Sequence, residues 1–311
     1  MYNNNMLRNV LKRLKIGRNG TVNDENQYLS LIRDILNDGQ EIKGRNGTTK
    51  AIFGSAMHFD LSDNKIPILT TKKVAWKTCL KELLWFIKGS TSNKELQEQN
   101  VKIWNGNATR DFLDSRGLTN LEENDLGPVY GHQWRFFNAP YKTCADDYNG
   151  EGVDQLQNVI NMLKNPQTRH SRRIIMSAWN PCQLDEMALP PCHVMCQFNV
   201  TENRLSCSMY QRSGDVGLGV PFNIASYSFL THLLAHHCGM KAAEFVYYLG
   251  NAHIYDDHYD VLRKQIELEP FETPSLEITC GIKDKIEDYK INDFKLIDYN
   301  SHSTIKMAMR A

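Results

Sequence analysis

Residues 221–239, PFNIASYSFLTHLLAHHCG, constrain the fold more than any other stretch of this chain. Their spacing predicts a long helix that is apolar on nearly every face, and such a helix has to be buried in the centre of a domain. The preceding segments supply one wall for it. HVMCQFNV (193–200) and RLSCSMYQR (204–212) have the branched, aromatic and alternating content of strands, and the TENR that joins them reads as a hairpin turn. After the helix, EFVYYLGNAHIY (244–255) is a further strand, followed by a polar helix and by the strand-like LEITCGI and DFKLIDY.

The N-terminal half adds helices. DENQYLSLIRDILNDG puts Tyr28, Leu31, Ile32, Ile35 and Leu36 on one face, with Asp24 as N-cap and Gly39 as the stop. KVAWKTCLKELLWFIKG and VDQLQNVINMLKNP are two more amphipathic helices, and RRIIMSAW (172–179) is another strand. Helices and strands mix without the strict alternation of a doubly wound sheet, which predicts an α+β fold with one large mixed β-sheet covered by helices. No Gly- or Ser-rich linker divides residues 24–311, so they are expected to form a single domain. Residues 105–125 are a polar, turn-rich excursion, and residues 1–23 carry five cations and no acid. That start reads as a frayed basic tail, with an organelle-targeting segment as the second reading.

Composition narrows the function classes. A chain that is 41% hydrophobic with formal net charge zero is not a general nucleic-acid coat, and no apolar run approaches the length that spans a bilayer. Eight scattered cysteines without a secretory leader predict reduced thiols and a cytoplasmic setting.

Cys192 stands out among them. Pro190 and Pro191 fix the backbone ahead of it and a strand begins directly after it, so its side chain can be aimed. It can be a reactive thiol, a metal ligand or an ordinary buried cysteine. Metal is disfavoured, because Cys192 and Cys196 stand about 13 Å apart along a strand and no CxxC or HExxH pattern occurs. A nucleophile needs nearby cations to lower its thiol pKa. Candidates are Arg172 and Arg173 in HSRRIIMSAW, Arg212 in YQRSGD and Arg45 in KGRNGT. Arg212 with Ser213 also suits an anion, combining fork-shaped donors with a hydroxyl. Glu82, set among Leu83, Leu84, Trp85 and Phe86, would hold its proton if buried, or else lies exposed on a helix face. Asn223 offers one donor end and one acceptor end, which matches a uracil edge, or it merely caps its helix.

GPVYGHQWR, SRRIIMSAWNP, LPPCHVMCQFNV, LSCSMYQRSGDVGLGVPFNIASYSFLTH, LGNAHIYDDH and the terminal IKMAMRA resemble, in order, the thymidylate synthase family, and the resemblance runs from about residue 26 to the end. It implies that family's fold and a homodimer packed sheet to sheet. It implies conversion of dUMP to dTMP, with 5,10-methylenetetrahydrofolate giving both carbon and hydride and no metal taking part. Cys192 then matches the nucleophile that adds to C6 of the uracil ring. Arg212, Arg45 and Ser213 match phosphate contacts, and Arg172 and Arg173 match the pair that reaches the neighbouring subunit's site. Asn223 matches the reader of the base, while His253 and Tyr255 match the residues on the ribose. Glu82 matches the organiser of proton transfer, helped by Tyr130 and His193. Trp104, Asp215, Leu218, Gly219, Phe222 and Ala311 fall where the folate is held and water excluded, and Asp215 also borders the nucleotide.

The chain departs from the family's pattern in four places. The RNGTTKAIFG loop is one residue shorter, Ala75 replaces an aromatic, Asn251 replaces an aspartate and Asn199 replaces a tyrosine. Two other functions stay open at this level: a deoxyuridylate hydroxymethylase of the same fold, and a non-catalytic nucleotide- or RNA-binding relative. Asn223 disfavours a cytidylate substrate, and nucleic acid is not an expected partner.

Overall fold

A computed structural model describes residues 23–44 and 46–310. The basic start, Arg45 and Ala311 lie outside the described residues. The chain begins with α1 (Glu25–Asp38), whose buried face carries Tyr28, Leu31, Ile32, Ile35 and Leu36 as its spacing predicts. Gly39 ends it by donating its N–H to the Ile35 carbonyl. Asp24 does not cap with its side chain. Its Oδ2 accepts from the Asp60 N–H at 2.7 Å instead, tying the helix start to the neighbouring sheet.

Two strands follow, β1 (Gln40–Gly44) and β2 (Gly47–Asp60). Then come α2 (Trp76–Ile87), α3 (Asn93–Glu98), α4 (Arg110–Ser115), α5 (Tyr130–Phe136) and α6 (Gln155–Lys164). The second half runs β3 (Ile175–Ser177), β4 (His193–Thr201), β5 (Arg204–Asp215), α7 (Gly219–His237), β6 (Lys241–Tyr255), α8 (Tyr259–Gln265), β7 (Ser275–Ile278) and β8 (Phe294–Ile297). The β4–β5 hairpin turns at Glu202 and Asn203, with φ of 51° and 59°. Two successive left-handed residues give the turn a twist that matches its strands.

Six strands form one mixed sheet in the order β1-β2-β6-β5-β4-β3, in which only β5 and β6 pair in parallel. A parallel pair needs a crossover, and α7 is that crossover. This explains the helix's uniform apolarity: it packs on β5 and β6 from one side and on α2 from the other. Strands β7 and β8 stand apart as a two-stranded ribbon, so the expectation of one sheet holds for six strands and not for these two.

Register divides the large sheet into two chemically different faces. Met57, Tyr247, Met209, Cys196 and Met176 align across five strands, and all are buried on the side of α7. One residue along, Tyr248 and Tyr210 pair across β6 and β5 on the opposite face and stay 42% and 41% exposed. A side-chain period of two produces this split, and it leaves Tyr210 and Tyr248 exposed among Ser208, Gln197 and Glu244 on the face away from α7.

Candidate functional site

The site forms where β4 starts, β5 ends and α7 begins. Cys192 is half-buried one residue before β4. Its N–H donates to the Tyr130 hydroxyl at 2.7 Å, and its carbonyl accepts from the Arg212 N–H at 3.0 Å. The two prolines have a second use here. Their carbonyls accept from the Arg212 guanidinium, Nε to Pro191 at 2.8 Å and Nη2 to Pro190 at 2.9 Å, which leaves Nη2 3.8 Å from Cys192 Sγ. Trp179 lies under the same guanidinium, 5.7 Å from its ring centre. Arg212 is thus fixed against the thiol by four contacts.

The thiol itself differs from the sequence expectation. Burial pushes the Cys192 pKa up, and the positive charge of Arg212 opposes this without reversing it. Nearby cations alone predicted a lowered value. Desolvation, which sequence does not display, outweighs them.

Glu82 projects from α2 and is buried, as the first of its two readings required. Burial raises its carboxyl pKa to about 7, while the 2.7 Å hydrogen bond donated by Trp104 Nε1 works the other way. From Trp104 the packing continues to Tyr130 (6.1 Å between ring centres) and from Tyr130 to His193 (5.0 Å). One continuous path therefore joins Glu82 to the backbone of the thiol. Burial also holds the Tyr130 hydroxyl well above its usual range, so it stays neutral.

His193 is buried and its pKa is pushed down to about 4, mainly by burial. Its Nε2 lies 2.7 Å from Asn223 Nδ2. With the amide in this orientation Nε2 accepts from Nδ2, and Nδ1 is buried with no hydrogen-bond partner among the described residues. Asn223 lies within α7, past the N-cap at Leu218, so it does not cap the helix, and its Nδ2 meets His193. Its Oδ1 is the end left to meet a ligand.

Asp215 closes β5. Its Oδ1 accepts from the N–H groups of Gly217 (2.8 Å) and Leu218 (3.3 Å), setting the turn into α7 and placing Leu218, Gly219 and Phe222 beside it, all half-buried. Gly217 is tightly surrounded. A Cβ there would fall 3.0 Å from His258 Nδ1 and 3.2 Å from both Asp215 Oδ1 and Met307 Sδ. The C-terminal segment is docked against this turn: His258 Nε2 donates to the Ala308 carbonyl at 2.9 Å, and Arg310 pairs with Asp257 at 2.8 Å. Ser213, His253 and Tyr255 lie at the same end of the β5–β6 pair, with Ser213 opposite Asn251 and Asp215 opposite His253.

Arg172 and Arg173 do not join this group. Both are exposed ahead of β3, where the pairing of Ile175 with Gln197 sets Arg173 level with Asn199. Seven residues of strand, about 23 Å, separate that level from Cys192. No Arg side chain spans such a distance within one chain. Arg45 and Ala311 fall outside the described residues, and among those residues no group of three His, Cys, Asp or Glu side chains could hold a metal.

Three supporting residues escaped the sequence reading. Gln211 is buried, accepts from the Tyr247 hydroxyl at 2.5 Å and donates to the Ser213 carbonyl at 2.8 Å. Its signal was available: Leu205, Cys207, Met209 and Gln211 alternate inward, so a polar residue occupies a core position. Lys72 is buried with its Nζ donating to the Gly217 carbonyl, and burial lowers its pKa to about 8. Trp179 gave no signal, since its partner is 33 residues away in sequence.

The buried imidazoles carry a pH prediction. His232, on α7, donates Nε2 to the Lys65 carbonyl at 2.8 Å, and burial pushes its pKa down to about 4. An unfolded histidine titrates near 6.5, so between about 6.5 and 4 the unfolded chain binds the extra proton and stability falls as pH falls. Glu82, whose pKa is raised, contributes in the opposite sense over the same range. A difference isolates the histidine: urea unfolding of the parent should lose about 1.4 kcal/mol per pH unit more than His232→Gln between about pH 6 and 4.5. Equal slopes would show that His232 does not titrate with folding.

Comparison with known proteins gives the family of the chain. The family described as thymidylate synthase matches residues 26–311. Thymidylate synthase of Homo sapiens is 54% identical over 287 residues, covering 92% of this chain and 90% of the human protein. Thymidylate synthase 1/2 of Encephalitozoon cuniculi is 50% identical, covering 92% of this chain and 97% of its own length. The bifunctional dihydrofolate reductase-thymidylate synthase of Paramecium tetraurelia is 52% identical, and this chain spans 61% of that longer protein. Likeness of this extent covers the strand ends, turn and helix start that hold the pocket together, and the chain belongs to the thymidylate synthase family.

Proposed function

We propose that this chain methylates dUMP reductively to dTMP, with 5,10-methylenetetrahydrofolate as cosubstrate and Cys192 as nucleophile. The single observation that carries the reading is the thiol held 3.8 Å from a four-way-anchored Arg212 and linked through Tyr130 and Trp104 to the buried Glu82 carboxyl. C5 of uracil is a poor nucleophile. Addition of Cys192 Sγ to C6 breaks the C5–C6 double bond and sends its electron pair toward C5 and O4, and sulfur leaves again once C5 is substituted. Arg212 favours the thiolate and, with Ser213, binds phosphate. Asn223 takes the N3–H of uracil on Oδ1, because His193 already holds the amide's other end. That orientation rejects cytosine, which has no proton on N3 to donate.

The folate supplies one carbon and then a hydride. Its site fits on two counts. Asp215 Oδ2 makes no hydrogen bond among the described residues, which leaves an acceptor for pterin N–H groups, and Leu218, Phe222 and Trp104 give an apolar border. Glu82, at about 7, can take a proton and return one during the same turnover. The C-terminal segment, held at Ala308 and Arg310, would exclude water around the reacting carbon by closing over the bound folate.

A homodimer suits the uncovered sheet face. Tyr210 and Tyr248 would be buried against a second copy, and Arg172 and Arg173, too far from their own Cys192, would serve the partner's pocket. A cytoplasmic setting is consistent with the eight free thiols.

The product assay separates this reading from a hydroxymethylase. Incubated with dUMP and 5,10-methylenetetrahydrofolate, the protein should release one dihydrofolate per dTMP, followed by absorbance and chromatography. Release of 5-hydroxymethyl-dUMP with tetrahydrofolate would replace it with the hydroxymethylase, and binding without turnover would leave only a non-catalytic relative.

A further inference from the structure

We propose that Asn251 is a positioning residue that fixes the tautomer of His253, so that the ring presents an unprotonated Nε2, a hydrogen-bond acceptor, to the sugar of the nucleotide. The inference rests on the reading of the pocket as a deoxyuridylate site. Asn251 and His253 are two apart on β6 and so share one face of the strand. His253 Nδ1 lies 2.9 Å from Asn251 Oδ1. An amide oxygen accepts and cannot donate, so Nδ1 must carry the proton. A neutral imidazole has one N–H, which leaves the lone pair on Nε2.

The surroundings keep the ring neutral. Burial lowers its pKa, and the charge of Asp215, level with it on β5, opposes that shift. Asp215 has already committed Oδ1 to the turn at Gly217 and Leu218. Facing His253 from β2 is Ala51, which carries no charge, and Tyr255 stands edge-on with ring centres 5.4 Å apart. A carboxylate at position 251 would instead supply a full negative charge at Nδ1, stabilise the imidazolium and turn Nε2 into a donor. The amide therefore selects a sugar group that donates, such as a free 3′-hydroxyl, and disfavours one that can only accept. The reversed amide, with Nδ2 toward Nδ1, would give the opposite tautomer and is the alternative under test.

Nitrogen-15 spectra of the full-length protein labelled at histidine read the tautomer directly, with His253 identified by its loss in His253→Gln. At pH 7.5 Nδ1 should show a protonated-type shift and Nε2 a bare one, and in Asn251→Asp the ring's titration midpoint should rise by at least about one unit. In the parent, 2′,3′-dideoxyuridylate should bind about tenfold more weakly than dUMP, whereas the 3′-amino analogue, which still donates, should stay within about threefold. At a pH below the variant's raised midpoint, Asn251→Asp should remove that advantage of the amino analogue. A protonated Nε2 in the parent, or a 3′-amino analogue no better than the dideoxy compound, would overturn the proposal. The spectra are recorded on the free protein, so a wrong tautomer counts against Asn251 alone. Failure to bind dUMP at all would overturn the substrate reading and the sugar-facing half of this one with it.

Discussion

Cys192→Ala should lower turnover by about 10⁴-fold or more while changing dUMP affinity by less than about tenfold. In the proposed reading, affinity for the nucleotide would come from phosphate and base contacts of Arg212, Ser213 and Asn223, none of which passes through the sulfur, and the thiol would act only when a bond forms at C6. Truncating it leaves the Arg212 anchors on Pro190, Pro191 and Trp179 in place, so the pocket should keep its shape. Steady-state rates and equilibrium titration with dUMP check both halves. A variant whose turnover falls by less than about tenfold would remove Cys192 from the chemistry. A variant that loses nucleotide binding as well would show instead that the thiol holds the pocket together.

Glu82→Gln should be nearly as damaging to rate, by about 10²–10⁴-fold in kcat, and for a different reason. Glutamine preserves the size and still accepts from Trp104 Nε1, but it cannot carry a proton between partners. Because burial holds the Glu82 carboxyl at about 7, the parent's rate should change with pH around neutrality. The variant should lose that inflection while keeping dUMP affinity. A kcat profile that stays the same in both would assign the proton transfers to another group. Trp104→Phe offers a milder companion: losing the one hydrogen bond that favours the charged carboxylate should move the inflection upward.

Much of this architecture was written in local pattern. The uniform apolarity of 221–239 requires a buried helix, and the parallel pairing of β5 with β6 shows what buries it. The β4–β5 hairpin and its turn were equally plain. Strand β2 was not, although it is 14 residues long. Gly54, at φ 83°, interrupts its alternation in the middle, and Phe53 beside it is 80% exposed, so neither period shows.

The site divides in the same way. Cys192 was conspicuous because two prolines and a strand start are contiguous with it. The Glu82–Trp104 hydrogen bond, 22 residues apart, and the Trp179–Arg212 contact exist only after folding. Burial is the other quantity a string of letters lacks. It lifts the Cys192 thiol where neighbouring arginines alone would lower it, and it converts Glu82 from an ordinary helix-face acid into a group that titrates at neutral pH.

In the proposed reaction Cys192 forms a bond to C6 of the uracil ring in the presence of the folate. The most direct measurement traps that bond. With 5-fluoro-dUMP in place of dUMP, the carbon transfer should stall, because the fluorine at C5 cannot be removed as the proton is. Mass spectrometry of the protein mixed with 5-fluoro-dUMP and 5,10-methylenetetrahydrofolate should then show the mass of both ligands added to one chain, and peptide mapping should place the adduct on Cys192. An adduct on any of the other seven cysteines, or no covalent species under conditions where dUMP is turned over, would contradict the account.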